Sequence, residues 1–103
     1  MSVLAEFSVV PLGAGASISP RVARVLRIIL DSGFPYKANP MGTVIEGEWD
    51  AVMALVKRCH DEAMKDAARV ITTVRIDDHP GSGPRIERKL ESVEEKLGTK
   101  LNR

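Results

Sequence analysis

The chain has 103 residues, of which 44% are hydrophobic and 28% charged, and 15 Lys and Arg against 14 Asp and Glu leave a formal net charge of +1. That apolar content excludes a disordered chain, and no apolar run is long enough to span a bilayer. The near-neutral balance and sparse aromatic residues leave no electrostatic or stacking footprint for nucleic acid, and no footprint for a membrane surface.

The size is that of one domain, expected over residues 1–103. Cys59 is the single cysteine, which excludes an internal disulfide and a thiolate metal cluster. Met1-Ser2-Val3-Leu4-Ala5-Glu6 lacks a basic n-region and reaches an acid at once, so the expected compartment is the cytoplasm.

In chain order, Val3 to Val10 reads as a strand, and Pro11-Leu12-Gly13-Ala14-Gly15 ends it. Ser19-Pro20 is an N-cap and first-turn pair opening a helix with the stripe Val22, Leu26, Ile29 and Leu30, and Gly33 is placed to terminate it. Arg27 and Asp31 sit four apart on its outer side. Phe34 to Ala38 and Thr43 to Glu46 read as a hairpin about the Asn39-Pro40-Met41-Gly42 turn signal. A second helix begins near Trp49, with Val52, Leu55, Val56, Cys59 and Ala63 as its apolar stripe. Val70 to Asp77 is a β-branched strand. After the loop His79-Pro80-Gly81-Ser82-Gly83-Pro84, a third helix carries Ile86, Leu90, Val93 and Leu97, with Gly98 at its end.

This order is the split β-α-β pattern. It predicts an α+β, ferredoxin-like βαββαβ sandwich: a four-stranded antiparallel sheet, two helices on one face, and an added C-terminal helix. If those helices cover the Val3/Phe7/Val9 face, the other face shows Leu4, Glu6, Ser8 and Val10 beside Ile71, Thr73, Arg75 and Asp77. A solvated face would be more uniformly polar. The mixture predicts burial against a second copy, with Leu4, Val10 and Ile71 uncovered in a lone chain.

The chemistry-bearing residues form few patterns. Cys59-His60-Asp61-Glu62 holds ligand types, but adjacent helical residues do not face one another, so Cys59 reads as a packing residue and His60 as a surface histidine. Asp77-Asp78-His79 lacks regular metal-ligand spacing and reads as a solvated strand exit. No serine lies in a nucleophile elbow, and Gly13-Ala14-Gly15 lacks the lysine of a P-loop and the third glycine of a dinucleotide fingerprint. No catalytic residue, metal or cofactor is therefore expected. Met41-Gly42-Thr43-Val44-Ile45-Glu46-Gly47 is the sharpest feature, because it sets a carboxylate inside an apolar hairpin strand. Two readings of Glu46 stand side by side: a ligand carboxylate with Thr43 beside it, or an edge charge that discourages aggregation.

Several segments together bear a resemblance: Glu6 to Gly13, Ser17-Ile18-Ser19, Ser32-Gly33-Phe34-Pro35-Tyr36, Pro40 to Asp50, and Val70 to Asp78. Through these the chain resembles the small ferredoxin-like thiamine-binding proteins, a family long catalogued as uncharacterised. It carries His79 where members usually have an arginine. The resemblance implies non-catalytic binding of thiamine or its hydroxymethylpyrimidine part, as carrier or sensor, by a homodimer or homotetramer. The ligand is an aminopyrimidine joined to a cationic thiazolium, which calls for carboxylates and fixed hydrogen-bond partners in an apolar slot. On that implication Glu46 and Thr43 form the pocket and Tyr36 walls it. Glu6, Ser8, Gly42 and Ser17, the last from the Gly13–Ser19 loop, lie near. A ligand-responsive regulatory subunit and a small thiamine-salvage enzyme are the alternatives.

Overall fold

The structure, a computed structural model, describes residues 2–13, 19–81 and 83–103. The elements are β1 (Ser2–Leu12), α1 (Ser19–Ser32), β2 (Tyr36–Asn39), β3 (Gly42–Glu48), α2 (Trp49–Met64), β4 (Arg69–Asp77) and α3 (Arg88–Leu97). The strands form one sheet in the order β2-β3-β1-β4, with every neighbouring pair antiparallel. This is the expected ferredoxin-like sandwich. The Ser17 expectation and the Ser19 side-chain cap lie outside the described residues.

Alternation along β1 decides which face is core. Val3, Ala5 and Phe7 point toward the helices and meet Ile29, Ile45, Val52, Leu55, Val56 and Cys59. All five residues of the α2 stripe are buried. In α1 the stripe is rotated from the expected one. Ile29 is buried and Val25, Leu26 and Ile28 pack on the core, while Val22 and Leu30 are exposed. Helical spacing gives the width of an apolar stripe, but packing against the sheet sets its rotation. Gly33 takes a left-handed φ of 82°, as the helix end requires.

The hairpin begins two residues later than expected and closes through a two-residue turn, Asn39 pairing with Gly42. The Asn39 Oδ1 accepts the Met41 N–H at 2.8 Å, an Asx turn that fixes the bend. Two glycines of the hairpin are steric necessities. A Cβ on Gly42 would come to 2.8 Å from the Phe7 carbonyl oxygen, and one on Gly47 would collide with the Phe34 ring.

Across the open face the register forms rows. Glu46, Leu4 and Asp77 make one row, and Val44, Glu6 and Arg75 the next. Val10 and Ile71 are 40% and 46% exposed, as expected for this face. Leu4 corrects the expectation: it is 8% exposed, because residues 85–90 return across this face. No helix among the described residues is long and apolar enough to cross a membrane.

Candidate functional site

β1, β3 and β4 present Leu4, Glu6, Val44 and Asp77 as the floor of a cleft on the open face, and Arg85, Ile86, Lys89 and Leu90 roof it. Its volume is about 330 Å³, at the lower end of small-molecule sites. Apolar carbons and charged heads alternate around it. Asp77 accepts from Arg85 Nη1 at 2.9 Å and from Lys89 Nζ at 2.7 Å. Those bonds, Lys89's first and Arg85's second, hold the Asp77 carboxyl below its ordinary range. Arg75 reaches Glu6 more loosely, at 3.4 Å. Asp77 is therefore not the solvated strand exit expected from its sequence context: it anchors the segment that follows the loop.

Glu46 sits at one side of this cleft and is 4% exposed. Its two carboxylate oxygens accept the Arg85 N–H at 2.8 and 3.1 Å and the Ile86 N–H at 3.1 Å. These donors lie where the chain enters α3, since Lys89 N–H already bonds back to the Arg85 carbonyl. The N-cap residue of α3, Glu87, makes no side-chain capping bond. A carboxylate from a distant strand thus takes the place of the missing local cap, at the positive end of the helix.

A second cleft of about 200 Å³ lies at the hairpin tip, between the Asn39–Met41 turn and α1. Ser8, Gly42 and Thr43 line it together with apolar residues such as Phe7, Val22 and Leu26, and among the described residues its lining carries no charge. The expected site residues are therefore divided. Glu6 and Glu46 belong to the open face. Ser8, Gly42 and Thr43 meet at the hairpin tip, where Thr43 is 6% exposed. Tyr36, opposite Ile45, lines neither cleft.

Arg85 and Lys89 were not singled out in the sequence. An arginine just after a Pro/Gly loop and just before an amphipathic helix was the available signal. His60, read as a surface residue, is half-buried and its Nδ1 lies 2.6 Å from Thr72 Oγ1, linking α2 to β4.

A profile of the family described as "Thiamine-binding protein" matches residues 5–94, a span that includes Glu46 and the residues of both clefts except Leu4. The UPF0045 protein Mb1933 of Mycobacterium bovis is 40% identical over 98 residues, covering 94% of this chain and 96% of its own. The UPF0045 protein MJ1052 of Methanocaldococcus jannaschii is 36% identical over 93 residues, covering 90% and 93%. The solved structure of that archaeal protein matches with a TM-score of 0.84 at 35% identity, over 91% of this chain and 97% of that one. A Thermotoga maritima structure, named as a candidate thiamine biosynthesis or salvage protein, matches with a TM-score of 0.79 at 27% identity, over 90% and 99%. On the length of the family match and the identity of these relatives, the chain belongs to the thiamine-binding protein family.

Proposed function

We propose that this chain binds thiamine or its hydroxymethylpyrimidine moiety without converting it, as a cytoplasmic carrier or sensor that works as a homodimer or homotetramer. The observation that carries the reading is the family match, which runs over nearly the whole chain and takes in the cleft on the open sheet face. The chemistry of that cleft agrees. Its floor offers Leu4 and Val44 to a flat heterocycle and Glu6 offers a carboxylate to an amine or a cation, while the carboxylate of Glu46 lies buried beside it behind the Arg85 and Ile86 N–H groups. A carboxylate meeting a cationic or amine-bearing ligand makes charge-assisted hydrogen bonds, roughly twice as strong as neutral ones.

Binding without turnover fits the residues present. Asp77, Arg85 and Lys89 are committed to one another, and among the described residues no hydroxyl or thiol with an adjacent base lines the cleft.

Titration calorimetry with thiamine and with hydroxymethylpyrimidine tests the reading, paired with chromatography of the recovered ligand. Saturable one-site binding with the ligand returned intact is the expected result. No heat at millimolar ligand, or a chemically altered ligand, overturns it.

A further inference from the structure

The position of α3 is held by polar contacts. None of its residues is buried, yet Ile86, just before it, and Leu90 within it lie over Leu4 and Val44. Three attachments keep it there: Glu46 to the Arg85 and Ile86 N–H groups, Asp77 to the Arg85 and Lys89 side chains, and Glu87 to Lys37. The first differs in kind from the others. Glu46 is buried, and among the described residues no Lys or Arg pairs with it. Burying a carboxylate is tolerable only while its oxygens are satisfied, and the hydrogen bonds Glu46 accepts come from that one stretch of backbone. Arg85 and Ile86 are also roof residues of the cleft, so lifting them would join Glu46 to the cleft below.

Resting on the binding reading above, we propose that residues 83–97 form a latched lid, and that the ligand enters by displacing the Arg85 and Ile86 N–H groups from Glu46. The ligand chemistry that fits is an amidine-like edge. An aminopyrimidine that holds a proton on the ring nitrogen next to its amino-bearing carbon presents amino N–H and ring N–H side by side, a fork matched to the two oxygens of one carboxylate. The exchange replaces two neutral donors with a charged pair, so Glu46 stays satisfied throughout. Gly81, at φ 85°, lies between β4 and the lid and Gly83 is the lid's first residue; at both, the absence of a side chain lowers the cost of a backbone rearrangement. Lifting the lid uncovers Leu4 and Val44 but leaves the core beneath α1 and α2 intact, since none of that cluster comes from α3. The closed latch lowers apparent affinity by the fraction of molecules that are open.

Hydrogen exchange at the Arg85 and Ile86 amides, read by NMR with and without saturating hydroxymethylpyrimidine or thiamine, tests the displacement. Both amides should be protected in the free protein and exchange at least about tenfold faster when ligand is bound. Glu87→Lys supplies the second arm. Glu87 pairs with Lys37 and Arg103 and does not line the cleft, so reversing its charge loosens the lid without touching the floor. The variant should bind about threefold or more tighter than the parent. The added positive charge opposes a cationic ligand, so a gain cannot come from that source. Ligand bound with both amides still protected, or a Glu87→Lys protein that binds no tighter, overturns the lid alone. Absence of binding to both proteins overturns the lid together with the reading beneath it.

Discussion

Thr43 and Glu46 stand on opposite faces of β3. Thr43 pairs with Phe7 on the helix-covered side, and Glu46 pairs with Leu4 on the open side. Three positions along a strand always reverse the face, because the side-chain period is two. A hydroxyl and a carboxylate that look adjacent in the sequence are therefore separated by the sheet itself.

That separation sorts the two clefts by mutation. With the ligand on the open face, Glu46→Gln and Glu6→Gln each weaken thiamine binding by about tenfold or more, since each removes a charge-assisted partner. Thr43→Val leaves affinity within about twofold, because a group across the sheet adds no direct contact. Calorimetry on the three variants decides the matter. The reverse pattern, with Thr43→Val alone damaging, assigns the ligand to the uncharged cleft at the hairpin tip.

The hairpin glycines are predicted to matter for stability independently of any ligand. Gly42→Ala drives a methyl against the Phe7 carbonyl, and Gly47→Ala drives one against the Phe34 ring and Val52. Overpacking of this kind costs about 1–3 kcal/mol, and at Gly42 the obstacle is backbone that must shift as a strand. The midpoint of urea unfolding should fall for both, further for Gly42→Ala, with the slope of the transition unchanged. Equal stability to the parent at Gly42 would mean that β1 and β3 separate more easily than their register suggests.

Much of this architecture is legible in the sequence, and what is not has physical causes. The alternation in β1 and β4 named both sheet faces correctly, because strand periodicity is short-ranged. The α2 stripe was equally plain, since five apolar positions share one helical face. The rotation of α1 was not, as Val25 and Val22 are equally apolar and only the sheet distinguishes them. The burial of Leu4 depended on residues 85–90, whose return across the open face no local pattern encodes. For the same reason Glu46 could be seen as unusual but not assigned to Arg85, a residue 39 positions later.

Cys59 should be chemically quiet in the folded state. It is fully buried, and that burial pushes its thiol pKa up to about 11, with Arg58 pulling weakly the other way. The thiolate is the reactive form, so both access and ionisation are withheld. Labelling by a disulfide reagent at pH 8 should be slow in the native protein and fast in denaturant. Rapid stoichiometric labelling without denaturant would show that α2 separates readily from α1.

A second copy is expected on the exposed apolar positions of the open face. Val10 and Ile71 are each at least 40% exposed. Aliphatics exposed side by side on one sheet face favour association in a chain with so small a core. Light scattering at micromolar concentration should give two or four times the chain mass of 11.2 kDa. Ile71→Lys on the open face should shift the assembly toward monomer while leaving far-ultraviolet circular dichroism unchanged. A parent protein that scatters as a monomer sinks the expectation.

The attachments of α3 also predict how it responds to acid. Asp77 is held below its ordinary pKa by hydrogen bonds from Lys89 and then Arg85, Glu87 by those from Lys37 and then Arg103, and Glu94 by Arg103 and the Leu101 N–H. A carboxylate with a depressed folded-state pKa binds protons less readily folded than unfolded. Its contribution is fully present above the unfolded value, about 4 for these acids, and is lost as pH falls through the folded value. All three groups sit on or against α3, which buries none of its residues. Asp66 with Arg21 and Arg24, and Asp61 with Lys57, are lowered in the same way at the surface of α1 and α2, but those helices are also held by the buried apolar core. Acidification from pH 6 toward pH 3 should therefore release α3 before the rest unfolds. Amide chemical shifts of residues 88–97 should move toward random-coil values while those of residues 49–64 hold. Added salt should raise the pH at which release begins, since these partly exposed pairs are screened. Simultaneous loss of both sets of shifts would show instead that α3 is bound to the sheet as tightly as the core is to itself.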